Sequence, residues 1–146
     1  MEIISEPLSQ KDKAVFFDLV QKEWDEDFSG IETIYNPIIF VGKEDDHIVG
    51  GLAVFHHKTP DDTTFKKQSQ YYKDQHIPYI GYFVIDQNLR GKGYGIKLMN
   101  TFLEQRKGSH FWIVIENLAL QPFYEKLGFH FIERVDNEVV MCTKEI

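Results

Sequence analysis

The sequence predicts a single-domain α/β fold over residues 1–146: a mixed, mostly antiparallel sheet with a central parallel strand pair and flanking helices. Three observations carry that expectation. Tyr79-Ile80-Gly81-Tyr82-Phe83-Val84-Ile85 is a nearly continuous apolar and aromatic run, the pattern of a strand covered on both faces. Between it and a second such run, Phe111-Trp112-Ile113-Val114-Ile115, the apolar period turns helical, so the two strands are expected to run parallel in a right-handed β-α-β unit. On either side lie pairs of short apolar runs separated by turn residues, as antiparallel hairpins require.

Taken in order, Ser9 with Asp12 three residues on resembles a capping box, and Val15, Phe16, Leu19, Val20 and Trp24 follow at helical spacing, which predicts a helix over 9–24. An irregular segment is expected to run to Pro37. Ile38-Ile39-Phe40-Val41 and Ile48 to Phe55 then read as a hairpin turning at Lys43-Glu44-Asp45-Asp46. Residues 58–76 are polar and carry Pro60, Asp61 and Asp62. Phe65, Tyr71 and Tyr72 are spaced so that a short helix holds them on one side, and the segment reads as an excursion able to serve as a lid. After the central strand, Leu98, Met99, Phe102 and Leu103 form one buried stripe of a helix that begins near Tyr94 and is expected to close at Gly108. Ala119, Leu120, Phe123, Tyr124 and Leu127 suggest a short helix, with Pro122 in its first turn and Gly128 at its end. Phe129 to Arg134 and Glu138 to Thr143 close the chain as a hairpin around Asp136-Asn137.

Composition excludes several classes of function. A chain of 146 residues, 42% hydrophobic and 14% aromatic, buries one substantial core, and no repeat or low-complexity tract interrupts it. The start has no basic leader or long apolar run and no later stretch could span a bilayer, so a cytoplasmic protein without a membrane partner is expected. A single cysteine, Cys142, leaves no internal disulfide and no cysteine-based zinc site, and a buried thiol is expected. The net charge of -7, with Lys and Arg scattered, argues against nucleic acid as a partner. The acidic run Glu23-Trp24-Asp25-Glu26-Asp27 reads first as a solvated helix end and second as a pointer to a cationic ligand.

The chemistry is concentrated in Leu89-Arg90-Gly91-Lys92-Gly93-Tyr94-Gly95, between the central strand and the helix. Glycines at alternate positions let backbone amides approach an anion at a helix start, where the dipole also favours negative charge. Arg90 and Lys92 add positive charge. A phosphate or pyrophosphate site follows. No Gly-Lys-Ser/Thr completes a P-loop. A dinucleotide fingerprint would need glycine where Ile96 or Leu98 stands, although Glu116 sits where a ribose-binding acid would.

The spacing of Arg90, Gly93 and Gly95 after a hydrophobic strand, Asn117 after the next strand, and Phe123-Tyr124-Glu125-Lys126-Leu127-Gly128-Phe129 resemble the signatures of the GNAT family of N-acetyltransferases. The resemblance covers residues 79 to 134 well, and the order of the earlier elements agrees with it. It implies that the parallel strands splay apart, and that acetyl-coenzyme A lies in the slot, paired with backbone groups of Val84 and Ile85. Amides from Arg90 through Gly91, Lys92, Gly93 and Tyr94 to Gly95 would hold the pyrophosphate, and Asn117 would touch the pantetheine arm, cap a helix, or both. The acetyl group would pass directly to an amine of a small molecule or peptide.

An oxyanion would form at a free amide of the splayed strand, with Val84 as candidate. Tyr124 would protonate the departing thiolate as general acid, although helical spacing alone reads it as a core aromatic. The central strand carries no carboxylate of the kind the family often uses as base. Asp86, His56, His57, Glu116 and ordered water are all candidates, and none is nominated. His56 and His57 point to opposite faces of a strand, so no metal site is expected. The acceptor is expected between the segment from Trp24 to Pro37 and the excursion from Pro60 to His76. Two alternatives stand beside this reading: a dinucleotide-binding module, and an acyl-coenzyme A sensor without turnover.

Overall fold

The computed structural model describes residues 1–5 and 7–144. In chain order the elements are β1 (Glu2–Ile4), α1 (Gln10–Trp24), α2 (Phe28–Tyr35), β2 (Ile38–Glu44), β3 (His47–Phe55), α3 (Lys66–Asp74), β4 (Tyr79–Ile85), α4 (Tyr94–Gln105), β5 (Trp112–Ile115), α5 (Gln121–Lys126), β6 (His130–Val135) and β7 (Glu138–Cys142). The strands form one seven-stranded sheet in the order β1-β2-β3-β4-β5-β7-β6. Among the described residues only β4 and β5 pair in parallel; the other neighbours are antiparallel. β4 therefore occupies the centre, as its apolar run requires.

Local chemistry accounts for most boundaries. Ser9 caps α1 by accepting the Asp12 amide at 3.1 Å, and α1 stops at Asp25, whose φ of 54° is left-handed. Asp27 then caps α2, its carboxylate accepting the Ser29 amide at 3.0 Å. The acidic run is thus a helix end followed by a helix start. α2 and β1 lie where the sequence signals no element: a helix of eight residues is too short for a periodic pattern to stand out, and a three-residue strand exists only because β2 offers it an edge. In the β2–β3 turn Asp45 and Asp46 take φ of 49° and 64°, a left-handed pair that matches strand twist. α4 ends at Gln105 with Arg106 as its cap, three residues ahead of the expected stop, and Gly108 at φ 95° turns the chain afterwards.

Helices cover both faces. On one, α1, α2 and α3 pack Phe16, Val20, Phe28, Phe65 and Tyr72 against Val41, Ala53, Phe55 and Trp112. On the other, Leu98, Met99 and Phe102 of α4 meet Phe40, Leu52, Val54, Ile80 and Ile113. Residues 58–76 are not a lid over that first face but belong to it. Phe65 and Tyr72 are each 1% exposed while Tyr71, expected beside them, is 46% exposed. In the last hairpin β7 takes the inner place because Val139, Val140, Met141 and Cys142 are apolar throughout. The charged β6 is left at the edge, where its side chains meet water. Among the described residues no helix is long and apolar enough to cross a membrane.

Candidate active site

β4 pairs with β3 along most of its length but with β5 only at Tyr79 and Trp112. The Trp112 amide donates to the Pro78 carbonyl at 3.1 Å, and beyond that bond the two strands diverge. A bulge accounts for the divergence: the β3 register slips between Gly51 and Ala53, and Tyr82 sits at φ 54°. Such an extra residue bends and twists its strand. It also resets the alternation, so that Tyr79, Tyr82 and Val84 join the core under α1 and α2 while Ile80, Phe83 and Ile85 face α4. Downstream, the Asp86 amide donates to the Val49 carbonyl at 2.9 Å. By the alternation of an antiparallel ladder, the backbone of Val84 then faces β3 and that of Ile85 faces the open side.

The segment after β4 turns sharply. Asp86 accepts the Asn88 amide at 2.9 Å and caps a single 3-10 turn over Gln87–Leu89. Gly91 and Gly93 take φ of 78° and 82°, and nothing lies within 4 Å of where a Cβ would stand, so their need is conformational. Gly93 caps α4, whose first bond runs from the Lys97 amide to the Gly93 carbonyl at 3.1 Å. The amides of Tyr94, Gly95 and Ile96 are consequently left without a helical acceptor, at the positive end of the dipole. Gly95 differs from the other two glycines. It lies inside the helix, and a Cβ there would meet the Phe123 ring at 3.4 Å and Ile85 at 3.7 Å, an ordinary fit. Arg90 pairs with Glu23 of α1, so some of its charge is already spent; Lys92 is exposed.

α5 brings Tyr124 to the same side. Pro122 stands in its first turn and Gly128, at φ 98°, ends it. The Tyr124 ring lies edge-on to Phe129 at 5.7 Å and to Phe123 at 5.0 Å, and 6.5 Å from Phe83, the residue after the bulge. Burial pushes its phenol up to about 12, so it is a neutral donor across the physiological range. Asn117 is exposed and caps the turn before α5, accepting the Ala119 amide at 3.1 Å.

On the opposite face of β4 the fold gathers groups that sequence reasoning missed. The Tyr79 hydroxyl donates to the Asp61 carboxylate. Burial raises the Asp61 carboxyl above its ordinary range, the Tyr79 bond opposes the rise, and Asp62 and Glu26 add to it. Burial and then the Glu26 carboxylate hold the Tyr82 phenol above its usual value, and the rings of Trp24 and Phe28 stand 5.4 and 5.1 Å from Tyr82. Pro60-Asp61-Asp62 carries only a turn signal in the sequence, so nothing local marks Asp61. Of the four residues weighed as a base, Asp86 is capping a turn and His56, His57 and Glu116 are exposed. Among the described residues no group of three or more His, Cys, Asp or Glu could hold a metal.

A family model described as the acetyltransferase (GNAT) family matches residues 5–129. Among solved structures, an acetyltransferase of Bacillus subtilis in complex with CoA is 12% identical, with 99% of each chain covered and a TM-score of 0.67. An acyl-CoA N-acyltransferase of Pseudomonas aeruginosa is 15% identical over 97% of each chain, with a TM-score of 0.68. A histone acetyltransferase HPA2 and related acetyltransferase of Corynebacterium glutamicum is 18% identical over 98% of this chain and 96% of its own, with a TM-score of 0.69. At these identities the likeness is one of fold. No curated protein is matched. With a bulged central strand that diverges from its parallel neighbour, a glycine turn opening α4 and a family match over most of its length, the chain belongs to the GNAT family of acetyltransferases.

Proposed function

We propose that this acyltransferase moves the acetyl group of acetyl-coenzyme A to a primary amine of a small molecule or peptide by direct attack, with Tyr124 as general acid. The observation that carries the reading is the meeting of three features at one end of the sheet: the gap beyond Tyr79 and Trp112, the amides at the start of α4, and the half-buried neutral phenol of Tyr124. The co-substrate fits these residues. Backbone donors from Gly91 to Gly95 suit a pyrophosphate, and polar groups of Ile85 are turned toward the gap. Val84 contributes its apolar side chain to the core under α1 and α2. Arg90 reaches a phosphate only by loosening its pair with Glu23, and Asn117 keeps its cap while its amide nitrogen remains available.

When bound, the thioester supplies an activated acyl carbon. The protein's contribution is positional and electrostatic. The Ile85 amide, free of the β3 ladder, takes the oxyanion role for which Val84 is the sequence candidate. Tyr124 donates its proton to the leaving sulfur. The amine loses a proton on the other face, where Asp61 receives it directly or through water. A carboxyl raised by burial is a better base than an ordinary one, because an unperturbed amine has a pKa of about 10.4. Trp24, Glu26 and Phe28 on one side and Asp61 on the other flank β4, which supports an acceptor site between the α1–α2 segment and residues 58–76.

Thermal unfolding with acetyl-coenzyme A, NAD and ATP in parallel tests the reading. At about a hundred times its dissociation constant a ligand adds roughly 2.7 kcal/mol, so acetyl-coenzyme A alone is expected to raise the midpoint. Thiol release in an amine screen then reports turnover. A shift with NAD instead would sink the acetyltransferase reading, and binding without turnover on any amine would favour a sensor.

A further inference from the structure

At the far end of α4 from the glycine turn lies a second cavity, of about 520 Å³. The twelve residues of α4 separate the two ends by about 18 Å. Phe40, Phe102 and Phe111 contribute to its apolar wall, and His56, His76, His110, Arg106 and Lys144 are among the other residues that line it. No Asp or Glu among the described residues lines it, a local reversal in a chain of net charge -7.

Arg106 is the anchor. Its guanidinium carbon stands 4.3 Å from the ring centroids of both Phe40 and Phe102, which fixes the plane of the group. One nitrogen donates to the Phe102 carbonyl at 3.3 Å. Burial lowers its pKa, and among the described residues no carboxylate pairs with it. A guanidinium carries five N–H donors in a planar fork matched to oxyanions, and most are unspent here. A cation partly withdrawn from water is costly unless something supplies the opposite charge. The surrounding groups come from separate segments: His56 after β3, His76 at φ 58° between α3 and β4, His110 before β5, and Lys144 after β7.

We propose that this cavity binds a small organic phosphate, a phosphomonoester whose dianion pairs with Arg106 and whose body lies against Phe40, Phe102 and Phe111. The size is that of a small-molecule site and exceeds an inorganic ion. The inference does not depend on the acetyl-transfer reading, since the cavity shares no residue with the proposed co-substrate site.

The test is a titration of the intact protein with phenyl phosphate, followed by NMR on the histidine ring protons. The expected result is a saturable shift of the His56, His76 and His110 resonances, unchanged when acetyl-coenzyme A is already bound. Affinity should fall at least tenfold in Arg106→Gln. Lys144→Gln, an exposed change that leaves the core alone, should weaken binding several-fold. His76→Asn keeps a residue that tolerates the left-handed backbone and should also weaken it. The proposal is overturned by the absence of saturation at millimolar phenyl phosphate, by undiminished affinity in the folded Lys144→Gln and His76→Asn proteins, by equal binding of benzyl alcohol, or by displacement with acetyl-coenzyme A.

Discussion

The connections that enter and leave β4 are both polar, yet they are built in opposite ways. Residues 58–76, which enter, fold into the core. Tyr72 stacks on Trp112 at 4.9 Å and 22°, and Asp62 accepts from Thr59 and from Lys73 at 3.0 Å. Residues 86–95, which leave, stay on the surface with helix-start amides unspent. The difference follows from the neighbouring strands. At the entering end β4 and β5 are hydrogen-bonded, and their aromatic pair Tyr79–Trp112, 4.6 Å apart, needs a cover. At the leaving end the bulge has separated them, and a cover would close the gap that gives the site its use.

The sharpest way to break that contrast is Tyr72→Ala. If the entering connection is core, deleting a fully buried aromatic should cost about 3–5 kcal/mol, read as a lower denaturant midpoint. A loss below about 1 kcal/mol would mean that the segment is a separable cover after all.

At the leaving end Tyr124→Phe should spare stability near neutrality and leave acetyl-coenzyme A binding unchanged, while kcat falls by about a hundredfold or more. The same substitution carries a pH signature. The folded phenol is raised to about 12, so the folded state keeps a proton that the unfolded chain gives up near pH 10. Stability is therefore whole below about pH 10 and is lost as pH rises toward 12. Tyr124→Phe should flatten that alkaline limb, and an unchanged limb would contradict the burial of the hydroxyl.

The two kinds of glycine separate next. Gly93→Ala must hold a side chain at φ 82° and should lose about 1–2 kcal/mol without any clash. Gly95→Ala should leave stability nearly intact and weaken acetyl-coenzyme A binding, because only a ligand needs the space there. Equal stability losses in both variants would mean that the turn, not anion approach, explains Gly95. The smallest effect is expected from Arg90→Met: its pair with Glu23 is partly solvated and should be worth less than about 1 kcal/mol. A large loss of stability would make that pair structural rather than a reserve of charge for a phosphate.

The leaving connection is legible in the sequence, whereas of the entering one only the short helix carrying Tyr71 and Tyr72 is. Gly91, Gly93 and Gly95 announce an anion-binding turn at a helix start, and a helical stripe follows at once, so the signal lies within a dozen consecutive residues; only the structure separates the left-handed Gly91 and Gly93 from Gly95. Tyr72 and Asp61 carry no comparable mark. Their roles depend on Trp112 and Tyr79, which are remote in sequence. Arg90 reads as free charge in the sequence because its partner Glu23 lies in α1. Val84 reads as the oxyanion candidate only without the bulge register, which turns its backbone toward β3 and leaves Ile85 facing the gap.

By itself the sequence determined the features that a few neighbouring residues can enforce: the Ser9 cap, a turn within Lys43 to Asp46 (which the structure narrows to Asp45-Asp46), the stop at Gly128, the central position of the apolar β4 run, and the glycine turn opening α4. Only the tertiary structure decided which edge would recruit β1, that β7 and not β6 would lie against β5, where the bulge would separate β4 from β5, and which carboxylate would meet Tyr79. The reason is physical. Caps and turns are resolved by backbone geometry over three or four residues, whereas strand order, burial of a carboxyl and the pairing of remote charges depend on how separate apolar faces share one core.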